Sequence, residues 1–171
     1  MSIRTRIAAR VVARLAAQVT FTGPHDGIEA GLATSGKDPV VFYAEVPNPK
    51  YDPDDFYMIR GKKHWWEKPT KKVAWLLIDL SHDGDAYSVN QAWTNDGFRR
   101  QGLVRHLYEM AWDYTKRKRK GFQSGWVQSP LMAHYWSDLE LKGKAESYED
   151  QWTKFNTGGK GWRRVKGDSR P

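Results

Sequence analysis

The chain has 171 residues, with 28 basic against 20 acidic side chains, a formal net charge of +8 and no cysteine. That length suits one domain spanning 1–171. The missing cysteines exclude a disulfide framework, a thiolate metal site and a cysteine nucleophile. No apolar run is long enough to cross a bilayer, and Arg6, Arg10 and Arg14 interrupt the apolar residues at the start, unlike a secretory leader, so a cytoplasmic protein is expected. The basic surface favours polyanions without choosing among them, and the nine tryptophans are expected mostly in the core.

Ile3, Ile7, Val11, Leu15 and Val19 recur every four residues and predict an amphipathic helix within residues 1–20, packed on the domain or touching a membrane or nucleic acid. Residues 22 to 39 read as loop, and Val40 to Val46 as a strand. Pro47 to Asp55 reads as an extended loop. Its Asp52, Asp54 and Asp55 lack the glycine and distal glutamate of a calcium loop. Phe56 to Arg60 predicts a short strand. In Gly61 to Lys72, His64, Trp65 and Trp66 lie among five lysines; the segment reads as a hairpin end that tucks both tryptophans inward, rather than as a base-stacking surface. Val73 to Leu80 is the clearest strand, apolar enough for burial on both faces. Asp83-Gly84 marks a tight turn before a partner strand from Ala86 to Thr94. Turn chemistry also accounts for Asp83 and Asp85 beside His82, so no metal site is expected.

Gly102 to about Arg119 predicts a helix with Leu103, Leu107, Met110, Ala111 and Tyr114 on one face, ended by Gly121. Phe122 to Gln128 reads as a strand. Ser129 and Pro130 open a second helix, with Leu131, Tyr135, Trp136 and Leu139 on its buried face and Gly143 closing it. The end of the chain, 145–171, holds Trp152, Phe155, Trp162 and Val165 around a glycine turn and predicts a final hairpin or a basic tail.

The segment Trp93-Thr94-Asn95-Asp96-Gly97-Phe98-Arg99-Arg100-Gln101-Gly102-Leu103-Val104 carries the chemistry. A strand–loop–helix junction with glycine at the helix start presents free backbone N–H groups, which bind phosphate together with the helix dipole. Arg99 and Arg100 add charge at the same place. The pattern of Arg99, Gly102 and Val104 resembles the acyl-CoA signature of the GNAT superfamily: Arg or Gln, two residues, Gly, one residue, then Gly or Ala. Val104 departs from it at the last position. Arg105-His106-Leu107-Tyr108-Glu109-Met110-Ala111 is similar to that family's third helix. Ser129 to Leu139 is similar to its fourth, and the likeness spans Val73 to Leu141. It is strongest to the divergent, tryptophan-rich GNAT-like proteins of phages and prophages, which would place the chain in a bacterial host's cytoplasm.

The resemblance implies an α+β fold: a central mixed, mainly antiparallel sheet with splayed central strands, flanked by helices on both faces. It implies an N-acyltransferase, specifically an N-acetyltransferase, that moves an acetyl group from acetyl-CoA or another acyl-CoA to an amine by direct attack. Gln91, Ala92, Trp93 and Thr94 would line the pantetheine arm. Arg99, Arg100, Gln101, Gly102, Leu103, Val104 and Arg105 would hold the pyrophosphate. The family's general-acid tyrosine falls nearest Trp136, which cannot serve, so Tyr135 is the candidate acid, with His134 or solvent as substitutes. The acceptor would be a protein amine, a small amine or a modified nucleobase. The alternative is a GNAT-like binding protein without catalysis that acts on nucleic acid or a host protein. Lys116 to Lys120 is its contact candidate, since the run lies roughly 21 Å along the helix from Gly102.

Overall fold

Alternation along two long strands sets the architecture. In β2 (Lys37–Pro47), Val40, Phe42, Ala44 and Val46 point to one side of the sheet and Val41 and Tyr43 to the other. In β5 (Thr70–Leu80), Leu76 and Ile78 join the first set and Leu77 the second. Both strands are therefore buried on both faces, as the apolar run from Val73 predicts. The computed structural model describes residues 18–32, 34, 36–125, 130–148 and 161–165. The expected helix at residues 3 to 19, the cap at Ser129, and Trp152 and Phe155 lie outside those residues or almost wholly so.

Seven strands form one sheet in the order β1-β2-β5-β6-β7-β9-β8, with β1 at Thr20–Asp26, β6 at Ala86–Thr94, β7 at Gly121–Gln123, β8 at Ala145–Tyr148 and β9 at Gly161–Arg164. All neighbours are antiparallel except β6 and β7. A parallel neighbour needs a crossover, and α1 (Leu103–Arg117) supplies it. The second described helix, α2 (Pro130–Leu141), leads to the β8/β9 pair that closes this end of the sheet. The sheet is mixed and mainly antiparallel, as expected from the sequence, and both described helices pack on the same face of it.

The main core lies between the sheet and both described helices. Tyr108 and Trp112 of α1, Phe122 of β7 and Trp136 of α2 meet with ring centroids 5.9–6.5 Å apart. The opposite face is a smaller cluster of Val41, Tyr43 and Leu77, covered by Ala30, Leu32 and Trp75.

Several local expectations change. Residues 22 to 26, read as loop, belong to β1, which pairs with β2, and the strand expected from Phe122 is, among the described residues, the short β7. Gly121 does not end α1: Arg119 takes the left-handed position at φ 57°, with Lys120 N–H reaching Thr115 O at 2.9 Å and Arg119 N–H reaching Lys116 O at 2.9 Å. Those two bonds satisfy the last carbonyls of the helix, so glycine is not needed there. Leu131 is not on the buried face of α2 but 67 % exposed, while Trp136 and Leu139 are buried. Trp65 and Trp66 are not tucked inward; they are 41 % and 68 % exposed, because β3 (Phe56–Ile59) and β4 (Lys62–Trp65) pair only with each other in a separate two-stranded sheet.

Asp79 ties the loop before β2 to the sheet. It is 6 % exposed, and one of its oxygens accepts from Thr34 Oγ1 (3.1 Å), Gly36 N (2.9 Å) and Asn90 Nδ2 (2.6 Å). Asp79→Ala would leave three donors without their charged acceptor. It is expected to lower stability by about 2–4 kcal/mol, read as a fall in urea midpoint at an unchanged m-value.

Candidate active-site cleft

Pairing of β6 with β5 runs as far as Thr94, but its register with β7 ends at Ser88↔Gln123. Gly125 still lies close against β6, since a Cβ there would come within 2.4 Å of Val89 O. Beyond the paired register lies a cleft of about 1110 Å³, lined by Ala92, Trp93 and Thr94, by Phe98 and every residue from Arg99 to Arg105, and by Leu131, Met132, His134, Tyr135 and Asp138. This exceeds the roughly 300–1,000 Å³ usual for a small-molecule site and leaves room for a large ligand.

The loop between β6 and α1 is braced from within. Asn95 Oδ1 accepts from Gly97 N–H at 3.2 Å, Phe98 is buried, and Gln101 Nε2 reaches Gly97 O at 3.3 Å. Arg100 (φ 63°) and Gly102 (φ 76°) both adopt left-handed backbone. That conformation explains the glycine more directly than ligand approach does, since a Cβ at Gly102 would meet nothing within 4 Å. Gly102 caps α1 without a side-chain hydrogen bond, and no acidic residue lies in the first turn. The N–H groups of Leu103, Val104 and Arg105 thus have no intrahelical acceptor at the positive end of the helix dipole, where an anion is favoured. Arg99, Arg100 and Arg105 are exposed around them. Arg99 forms an exposed ion pair with Asp96 at 2.8 Å, which holds it only weakly. Val104 is partly buried against the main core while also lining the cleft.

Of the residues singled out from the sequence, Ala92 to Thr94, Arg99 to Arg105 and Tyr135 share this cleft. Gln91 sits opposite Leu77 in the sheet and is outside the lining. Trp136, nearest the resemblance's tyrosine, is fully buried in the core. On α2, sequence reasoning named Tyr135 and His134 but put Leu131 and Tyr135 on the buried face and did not single out Asp138; all four line the cleft. Leu131, His134, Tyr135 and Asp138 fall at i, i+3, i+4 and i+7, the spacing of one helical face. It also missed Glu109, whose Oε1 accepts from Tyr135 Oη at 2.5 Å and from Arg164 Nη1 at 3.2 Å. Arg164 is 55 positions away in sequence, and nothing local announces the contact.

Lys116 to Lys120 lies at the far end of α1. Lys116 pairs with Asp113 at 2.7 Å, and Lys118 lies 5.6 Å from the Tyr114 ring centre. Asp83 serves its turn, accepting from Ser81 Oγ at 2.5 Å and Asp85 N–H at 3.1 Å.

No protein-family model matches the chain, and no curated protein matches its sequence. Among solved structures it is similar to an acyl-CoA N-acyltransferase from Pseudomonas aeruginosa, at 14% identity over 96% of this chain and 93% of that one, with TM-score 0.45. It is similar to Escherichia coli ElaA at 15% identity over 96% and 93%, with TM-score 0.43. It is also similar to a GNAT-family acetyltransferase from Staphylococcus aureus Mu50, at 10% identity over 74% of this chain and 66% of that one, with TM-score 0.44. None of the helices among the described residues is long and apolar enough to cross a membrane.

Burial, and then the carboxylate of Glu109 that accepts its proton, push the Tyr135 phenol well above its ordinary range. Burial does the same to Tyr108, and burial followed by the hydrogen bond to Asp38 does so to Tyr87. Above about pH 10 the unfolded chain releases phenolic protons that the native chain retains. Stability is therefore fully present below that pH and falls as pH rises through it toward the native values. Thermal melts across this range are expected to show the fall, and Tyr135→Phe to make it shallower.

Proposed function

We propose that the chain is a single-domain acyl-CoA-dependent N-acyltransferase, with acetyl-CoA as donor and an amine as acceptor. The observation that carries this reading is that one cleft is lined both by the uncapped start of α1 and by the part of β6 beyond its paired register with β7. The N–H groups of Leu103 to Arg105 and the guanidinium groups of Arg99, Arg100 and Arg105 would take the pyrophosphate. The edge of β6 around Ala92 to Thr94 would lie along the thioester arm, as an added strand lies along a sheet edge. Gly102 fits this use because space beyond it is open. Val104 fits because part of its side chain is spent on the core.

The amine attacks the thioester carbonyl; the acyl–nitrogen bond forms, the acyl–sulfur bond breaks, the amine loses a proton and the thiolate gains one. Tyr135 is the candidate donor of that last proton. Its environment opposes the step: giving up the proton would leave a phenolate beside the Glu109 carboxylate in a partly buried site, and both burial and that hydrogen bond keep the proton on oxygen. On this reading Tyr135 shapes the cleft wall and the thiolate is protonated from solvent. A protein amine, a small amine and a modified nucleobase remain the acceptor classes.

Titration calorimetry of acetyl-CoA into the full chain is expected to show one site. Gly102→Glu should weaken it about tenfold or more by placing a carboxylate at the phosphate mouth. The same substitution strains the left-handed position by only about 1–2 kcal/mol, so the variant should stay folded in a thermal melt. No heat with the folded wild type overturns the cofactor assignment. Heat without acyl transfer to any amine would assign the cleft to binding alone.

Tyr135→Phe separates the proton routes. Loss of a positioned acid typically costs about 10²–10⁴ in rate, whereas loss of a wall hydroxyl should change kcat only severalfold. The severalfold result is expected.

A further inference from the structure

The β3–β4 hairpin takes no part in the cleft or in the seven-stranded sheet. Its register pairs Phe56 with Trp65, Tyr57 with His64, Met58 with Lys63 and Ile59 with Lys62, around a two-residue turn in which Arg60 (φ 48°) and Gly61 (φ 76°) are both left-handed. Alternation therefore gives each face of the ribbon the same make-up. One face carries the Phe56/Trp65 pair, with Lys63 Nζ 4.2 Å from the Phe56 ring centre. The other carries His64 stacked on Tyr57 at 5.6 Å, with Trp66 against Tyr57 at 4.4 Å. Trp65 is fixed in place by its Nε1–H, which donates to Pro53 O at 3.0 Å. Trp66, Met58 and Ile59 are 68 %, 56 % and 48 % exposed, so these side chains are not serving the protein's own core.

Charge decides what such a ribbon would hold. Residues 56–66 include Arg60, Lys62 and Lys63 and no carboxylate. The approach does carry Asp52, Asp54 and Asp55, but Asp52 is occupied in its own turn, accepting from Asp54 N–H at 2.9 Å. Glu67, after the hairpin, accepts from Asn48 Nδ2 at 3.0 Å. A partner must therefore offer regularly spaced negative charge together with flat apolar surfaces that reach the rings. Single-stranded nucleic acid offers both, with phosphates for the cations and unpaired bases for the aromatic faces. Lipid fits less well, because the apex is Arg60-Gly61-Lys62 and the apolar side chains lie behind it, so the charged tip would have to enter hydrocarbon first. A duplex hides its base faces, and an acidic peptide answers the cations but not the rings.

We propose that the β3–β4 hairpin is a docking arm for single-stranded nucleic acid. Bases stack on Trp66 and on the Tyr57/His64 pair, and Arg60, Lys62 and Lys63 contact the phosphates. This surface is separate from the cleft and stands whether or not the cleft binds acyl-CoA.

Fluorescence anisotropy of the full chain with a labelled oligothymidylate of about 12 nucleotides tests it. The wild type should bind, more weakly as salt rises. Trp66→Ala should weaken binding about tenfold, with an unchanged thermal melt and unchanged acetyl-CoA titration. Lys62→Gln with Lys63→Gln should lower the slope of log affinity against log salt by about 0.7 per charge. The proposal is overturned if the wild type binds no oligonucleotide or if Trp66→Ala binds as the wild type does. It is equally overturned if affinity disappears only on neutralising Lys116, Lys118 and Lys120, or if phosphatidylserine vesicles, and not the oligonucleotide, compete for the hairpin.

Discussion

Strand β6 keeps one neighbour along its whole length and loses the other halfway. Its antiparallel contact with β5 reaches Thr94, and its parallel contact with β7 is spent by Ser88. A parallel neighbour obliges the chain to leave the end of β6, cross over as a helix and return. The start of that helix must therefore lie at the carboxyl end of β6, beside the place where the strands part. Open sheets tend to bind ligands at such points, outside the carboxyl ends of strands whose connections diverge. Here the geometry brings together two things that sequence places ten residues apart: backbone beyond the last β7 pairing and uncapped helical N–H groups.

A cleft made by divergence needs walls that do not collapse. Tyr108, Phe122 and Trp136 provide them, since each belongs to a different element and all three are 0–2 % exposed. Large aromatic rings in edge contact fix both the spacing and the rotation of the helices that carry them. Burial of Trp136 sets the facing of its neighbour: one residue along a helix is a turn of about 100°, so anchoring Trp136 in the core carries Tyr135 round toward the cleft. The pair Glu109–Arg164 then sets what Tyr135 can do. Arg164 has a side chain 4 % exposed and shares the carboxylate oxygen that receives the Tyr135 proton. A residue of β9, distant along the chain but in the strand next to β7, thereby governs a hydroxyl at the candidate site.

Periodicity made much of this legible in advance. The buried strand from Val73, the partner strand to Thr94, the α1 face and the β6–loop–α1 junction are local patterns, and local patterns survive without knowledge of the partner. What was not legible depends on distant partners or on competition for burial. Tyr135 and Trp136 are adjacent aromatics, and only the position of Phe122 and Tyr108 decides which goes inward. Trp65 and Trp66 read as core because tryptophan usually is core, yet the hairpin that holds them joins no other strand among the described residues. Arg119 in the left-handed position just after the C-cap defeats a rule that looks for glycine, because the two carbonyl bonds it allows offset the strain.

The two basic stretches of the chain look alike as sequence and differ once folded. In Lys116 to Lys120 the charges serve the helix end: Lys116 answers Asp113, Lys118 lies over Tyr114, Arg119 turns the chain, and all complement the negative end of the dipole. In the β3–β4 hairpin the cations sit on a ribbon that is too small to need them for stability and too exposed to hide its rings. Two-stranded ribbons are marginal on their own in water, so exposing aromatic residues on both faces of one brings the fold no evident gain. The asymmetry argues that the net positive charge is not one undifferentiated field. Part of it ends a helix, part surrounds the cleft, and part stands on the β3–β4 hairpin.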